Sequence, residues 1–210
     1  MRRRGLLVAV EGIDGSGKTT FARALADALA AEGREVVRTR EPTDGPWGRK
    51  IRASAVTGRL DPAAELELFC RDRLQHVHDV ILPARAAGKV VVVDRYYVSS
   101  MAYQGARGLD PEVVRTQNEA FAPRPDLLVL LTLDVEEALA RVRARGAADA
   151  FERADELRKV AAIYDALTLP PPLRLDARLP TPTLVARVLA VLAACRTRTD
   201  AGPGAPPTRL

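Results

Sequence analysis

The 210-residue sequence predicts an α/β fold: a doubly wound, five-stranded parallel sheet with helices on both faces. Three observations lead there. Five candidate strands alternate with helical stretches along the chain. Two of them contain runs, Val90-Val-Val-Val93 and Leu127-Leu-Val-Leu-Leu131, that are apolar at every position, as strands covered by helices on both faces must be. And between the first strand and the first helix, Gly12-Ile-Asp-Gly-Ser-Gly-Lys-Thr19 fits the phosphate-cradling pattern G-x-x-x-x-G-K-[ST] without a mismatch.

The elements follow in order. Leu6–Val10 is the first strand, bounded by Gly5 and the glycine-rich loop. Thr20 to Ala31 carries Phe21, Leu25, Ala28 and Leu29 at helical spacing, so strand, loop and helix stand in the sequence that a phosphate loop requires. In such a loop the glycines let backbone N–H groups close around phosphates, Lys18 supplies a mobile positive charge, and Thr19 offers a hydroxyl to Mg²⁺. Glu35–Arg40 forms the second strand, and Gly45-Pro-Trp-Gly48 reads as a loop in which Trp47 packs. A helix starting near Pro62 places Phe69 and Arg73 on one face. His76 and His78, two residues apart on the same helix, face different sides and read as surface residues. Val90–Asp94, Leu127–Leu133 and Leu173–Asp176 complete the sheet. Because ligands of open parallel sheets bind beyond the carboxyl ends of the strands, the loop at 12–19, Arg40-Glu-Pro42, Asp94-Arg-Tyr96 and the segment after Leu133 all open onto one edge.

The chain length suits one domain, expected over residues 1–195. The tail 196–210, with Gly202-Pro-Gly-Ala-Pro-Pro207, has too little apolar surface to bury and is expected to be disordered. The net charge of +5 sits at the ends: Arg2, Arg3 and Arg4 contribute three charges and the segment from Arg196 two, which leaves a neutral body and argues against a nucleic-acid groove. No apolar run approaches the ~20 residues that span a bilayer, and the apolar stretch after Met1-Arg-Arg-Arg4 runs straight into the phosphate loop, unlike a cleavable signal. Cys70 and Cys195 are too few for a disulfide framework and lack metal-ligand spacing, in keeping with a reducing cytoplasm.

Asp94 follows four valines, where a carboxylate can reach the metal ion of a phosphate loop or its water shell. Arg95 comes next; beside such a loop an arginine can fork onto phosphate oxygens, and Asp-Arg favours transfer to a second phosphate-bearing substrate over hydrolysis. With the attacking phosphate oxygen already ionised, no general base is demanded.

Glu11-Gly-Ile-Asp-Gly-Ser-Gly-Lys-Thr-Thr20, Thr39-Arg-Glu-Pro42, Asp94-Arg-Tyr96 with Ser99-Ser-Met-Ala-Tyr-Gln-Gly105, and Pro125-Asp126 at the start of a strand resemble, in the same order, the motifs of the thymidylate kinases, P-loop NTPases of the nucleotide-kinase type. The resemblance covers roughly residues 5 to 195. It implies transfer of the γ-phosphoryl group of ATP to thymidine monophosphate (dTMP) with Mg²⁺, ATP contacts from Gly12, Ile13, Asp14, Gly15, Ser16, Gly17, Lys18, Thr19 and Thr20, and a homodimer. It further implies that Asp14 accepts from the acceptor's 3′-hydroxyl, Phe69 stacks on thymine, Arg73 hydrogen-bonds the base, and Tyr103 crowds the sugar's 2′ position. Ser100 and Gln104 then lie near the base, while Arg52 contacts the acceptor phosphate.

The stretch near 145–153 resembles the lid that closes over ATP. This phosphate loop has Gly15-Ser16 and no arginine beside Lys18, and relatives of that kind place catalytic arginines in the lid. Here the usual position holds Ala150, so Arg145 or Arg153 is the candidate replacement. Two other functions share the motifs: a kinase for a different deoxynucleotide or nucleoside, and a non-catalytic nucleotide switch. Arg95 and the lid arginines count against the switch, which needs no acceptor-phosphate site.

Overall fold

The computed structural model describes residues 4–144, 150–168 and 170–200. The chain runs β1 (Leu7–Gly12), α1 (Lys18–Ala31), β2 (Val36–Arg40), α2 (Pro46–Thr57) and α3 (Pro62–His76). A π-helical turn over Val77–Ile81 leads into α4 (Leu82–Ala86). β3 (Val90–Asp94), α5 (Tyr97–Gly105), α6 (Pro111–Glu119), β4 (Leu127–Thr132) and α7 (Val135–Arg143) follow, then α8 (Ala150–Ala166), β5 (Pro172–Asp176) and α9 (Thr181–Asp200). The five strands form one parallel sheet, as their alternation with helices predicts, and the structure sets their order as β2-β3-β1-β4-β5.

Strand periodicity divides the core in two. Leu7 pairs with Val91 and Ala9 with both Val93 and Leu128, so these side chains share one face, packed under α3 to α8. Val8, Val10, Val92, Val129 and Leu131 point the other way, against Phe21, Leu25 and Leu29 of α1 and Leu184 and Val188 of α9. A strand with helices over both faces cannot alternate polar and apolar residues, which explains the unbroken valines of β3. The N-termini of α3, α6 and α7 are capped by Asp61, Asp110 and Asp134, whose carboxylates accept backbone N–H groups of the first turn.

Three expectations change. Gly45-Pro-Trp-Gly48 is the start of α2, with Pro46 at its first position, and Trp47 is flanked by Lys50 and Arg71 over its ring. His76 is buried: Nδ1 lies 3.0 Å from Glu41 Oε1 and Nε2 2.8 Å from Thr39 Oγ1, whereas His78 is exposed as expected. α9 runs to Asp200, past the boundary set at residue 195, and the rest of the expected tail lies outside the described residues.

Candidate functional site

The carboxyl ends of β1, β3 and β4 bring the predicted residues to one edge of the sheet. The loop after β1 turns through Gly12, Gly15 and Gly17 at φ 143, 88 and 87°, conformations open to glycine at little cost. Two of these positions are also crowded: a Cβ on Gly12 would stand 2.5 Å from the Leu131 carbonyl oxygen, and one on Gly15 would collide with the Ala138 carbonyl. Gly17 precedes α1 without a side-chain cap, so the free N–H groups of the first turn face the loop, an arrangement suited to anions.

Lys18 is buried and its Nζ donates to the Ile13 carbonyl at 2.8 Å. Burial, reinforced by the Arg95 charge, pushes its ammonium down to about 7 against the pull of Asp14, Asp94 and Glu11. Thr19 Oγ1 donates to Asp94 Oδ2 at 2.6 Å. Asp94 Oδ1 and Ser16 Oγ are buried without a hydrogen-bond partner, as groups awaiting a ligand or its ion would be. Among the described residues no group of three or more His, Cys, Asp or Glu side chains could hold a metal ion. Asp94 Oδ1, unpartnered beside the Thr19 hydroxyl, supplies hard oxygen donors of the kind and number that fit Mg²⁺.

Arg95 stands at the boundary between this loop and a cavity of about 490 Å³. It is a non-glycine residue with φ 67°, a costly conformation that aims its side chain across the cleft. Its guanidinium pairs with Asp14, reaches Ser99 Oγ at 3.3 Å and lies 5.1 Å from the centre of the Tyr103 ring. Burial would raise the Asp14 carboxyl; Arg95, and after it Lys18, outweigh that and hold it below the usual range. Burial also pushes the Tyr103 phenol up to about 12, so it remains a donor at neutral pH.

The larger cavity is lined by Asp14, Phe69, Arg95, Ser100, Tyr103 and Gln104 of the predicted set, joined by Glu65 and the apolar Ile51, Leu139 and Val160. Arg73 stands behind this wall, fully buried: Nε donates to Glu41 Oε2 at 2.7 Å, Nη1 to Asn118 Oδ1 and Nη2 to Ser100 Oγ at 3.2 Å. Arg52 lies outside the wall, tied to the carbonyls of Pro42 and Thr43. A second cavity of about 250 Å³ lies beside the loop, between Gly12, Ile13, Thr132, Tyr164, Asp176 and Arg178. The Arg145 and Arg153 side chains lie outside the described residues.

Three buried carboxylates not predicted as site residues organise these groups. Glu11 accepts from the backbone N–H groups of Tyr96 and Ser99 at 2.7 and 3.0 Å, and from the hydroxyls of Ser99 and Tyr164 at 2.6 and 2.9 Å. Burial raises its carboxyl despite these donors. Glu41 holds Arg73 and His76. Glu65 accepts from Arg59, Gln104 and Arg107. The signals were present: Glu11 is an acid ending an apolar strand, and Glu65, Phe69 and Arg73 recur every fourth residue along one face of α3.

The thymidylate kinase family model matches residues 10–185. A thymidylate kinase from Xanthomonas campestris pv. campestris (strain B100) is 49% identical over 191 residues, covering 90% of this chain and 84% of the relative. One from Xanthomonas oryzae pv. oryzae (strain PXO99A) is 48% identical over 203 residues, covering 96% and 89%. One from Akkermansia muciniphila is 48% identical over 190 residues, covering 90% and 92%.

Proposed function

The chain belongs to the thymidylate kinase family, and on that premise we propose that it transfers the γ-phosphoryl group of ATP to dTMP, giving the diphosphate and ADP. The observation that carries this reading is Arg95, held in a strained backbone conformation between the phosphate loop and the larger cavity, where one guanidinium can serve phosphates on both sides.

In this reading the loop from Gly12 to Thr20 binds the phosphates of ATP, and the smaller cavity with Arg178 takes the nucleoside of the donor. Asp94 and Thr19 would hold Mg²⁺, which would supply positive charge against the phosphates. Lys18 leaves the Ile13 carbonyl for the outer phosphates. Asp14 accepts from the 3′-hydroxyl of dTMP, Phe69 stacks on thymine, and Tyr103 crowds the 2′ position. Ser100 and Gln104 face the base, Arg73 reads it from behind Ser100, and Arg52 and Arg95 serve the acceptor phosphate. The cation missing beside Lys18 comes from Arg145 or Arg153 of the lid. Replacing each by Ala should give one severe and one mild loss of turnover; two mild losses would move the role to Arg141 or Arg143.

The family likeness further supports a homodimer that works in the cytoplasm. Among the described residues no helix is long and apolar enough to cross a membrane. The test of the activity is incubation with ATP, Mg²⁺ and a panel of nucleoside monophosphates. ADP should form fastest with dTMP, and turnover of another acceptor without turnover of dTMP would sink the assignment.

A further inference from the structure

At the end of the larger cavity, Gln104 is fully buried and its amide has a defined sense. Nε2 donates to Glu65 Oε2 at 3.0 Å, and Oε1 is buried without a hydrogen-bond partner, on a residue that lines the cavity. The amide cannot reverse: Glu65 already accepts from Arg59 Nε at 3.1 Å and Arg107 Nη1 at 2.6 Å, and a carboxylate facing these donors offers Gln104 only acceptor oxygens. Reversal would set the Gln104 oxygen against a carboxylate oxygen with no hydrogen between them, a costly arrangement in a buried site. Arg107 is anchored in turn on the Leu60 carbonyl at 2.6 Å.

We infer that Glu65 is the specificity-determining residue of the acceptor site: by fixing the amide sense of Gln104 it turns an acceptor oxygen toward the base and selects a pyrimidine-2,4-dione, whose N3 carries a hydrogen, over a 4-aminopyrimidine, whose N3 carries a lone pair. Glu65 acts as a positioning residue through Gln104. The inference rests on reading the larger cavity as the acceptor's base site. A site built to pair an N–H group rejects an analogue lacking it strongly, by up to about 10⁴ to 10⁵, because its own buried group is left unpaired.

The experiment compares kcat/KM for deoxyuridine and deoxycytidine monophosphates (dUMP and dCMP), which both lack the thymine methyl group and differ at the base edge. Wild-type protein should favour dUMP. Glu65→Gln places an amide at 65 that can donate to Gln104 Oε1, so the Gln104 amide is free to reverse, and the dUMP:dCMP ratio should fall at least about tenfold. The exchange E65Q/Q104E keeps the same groups and the hydrogen bond with its sense reversed, and again turns an acceptor oxygen toward the base. Its ratio should return to within a few-fold of wild type, an outcome that a merely structural role of Glu65 would not give. If E65Q does not fold, the exchange variant alone decides, since a collapsed ratio there with measurable dTMP turnover overturns the inference. An unchanged ratio in folded E65Q overturns it as well. Absence of dTMP turnover by the wild-type protein would overturn the kinase assignment and the inference together, which separates the two failures.

Discussion

The phosphate loop and the larger cavity lie side by side and are built by opposite means. The loop is nearly contiguous, residues 12 to 19, and it recognises with backbone: glycines at positive φ, free N–H groups at the start of α1, and one lysine. The cavity draws its wall from residues as distant as Asp14 and Val160, and it recognises with side chains. Three polar groups in or behind that wall are held by carboxylates: Ser99 by Glu11, Arg73 by Glu41, Gln104 by Glu65. Backbone recognition depends on conformation, and thus on glycine. Side-chain recognition depends on supports that orient the groups facing the ligand, and there a change of one atom type can redirect such a group.

The comparison predicts which variants separate the two halves. The largest effect belongs to Lys18→Ala, expected to lower turnover at least about a hundredfold and equally for every acceptor. A shift in the ratio of dTMP to dUMP turnover in that variant would mean that the halves are not independent. Gly15→Ala comes next, because it meets both a positive φ of 88° and the Ala138 carbonyl. A cost of about 1–3 kcal/mol in urea unfolding is expected, with ATP binding weakened about tenfold and dTMP binding nearly unchanged.

His76→Ala tests the supports of the cavity. It removes the buried partner of Glu41 and Thr39 and should cost about 1–3 kcal/mol in stability. Loosened in this way, Glu41 should raise the KM for dTMP several-fold while the KM for ATP holds; movement of the ATP value alone would break the division drawn above.

The smallest effect is a proton. Lys18 sits at about 7 in the free protein, well below the ~10.4 of an unfolded chain. Between those values the unfolded state binds the extra proton, so the contribution of Lys18 to stability rises with pH across that window and is lost as pH falls to about 7. Bound phosphates restore the ammonium. ATP binding at pH 8 should therefore take up close to one proton, less as pH is lowered toward 6, measured as the difference in binding heat between buffers of unlike ionisation enthalpy. Equal heats would mean that another charge, and not Lys18, meets the phosphates.

The fold and the phosphate loop were legible because both are local. Strand runs were placed to within a residue or two, since burial on both faces leaves Val90–Val93 and Leu127–Leu131 uniformly apolar. α2 was missed because Gly45, Pro46 and Gly48 read as a loop; proline is in fact suited to the first turn of a helix, and Gly48 fits closely against the Thr43 backbone. His76 was read as exposed because its partners Thr39 and Glu41 lie on another element some thirty-five residues away, a pairing that no periodicity on α3 encodes.

By itself the sequence determined the sheet, the loop and the kinds of chemistry available, because hydrophobic periodicity and glycine placement act within a few residues of the chain. Only the tertiary structure decided which charges are spent on support and which face the cavity. Arg73, Glu41 and His76 are an ordinary set of polar residues in the sequence; packing α3 beside the end of β2 takes them out of water, where each must find a partner, and those partners hold Arg73 in place against the Ser100 hydroxyl.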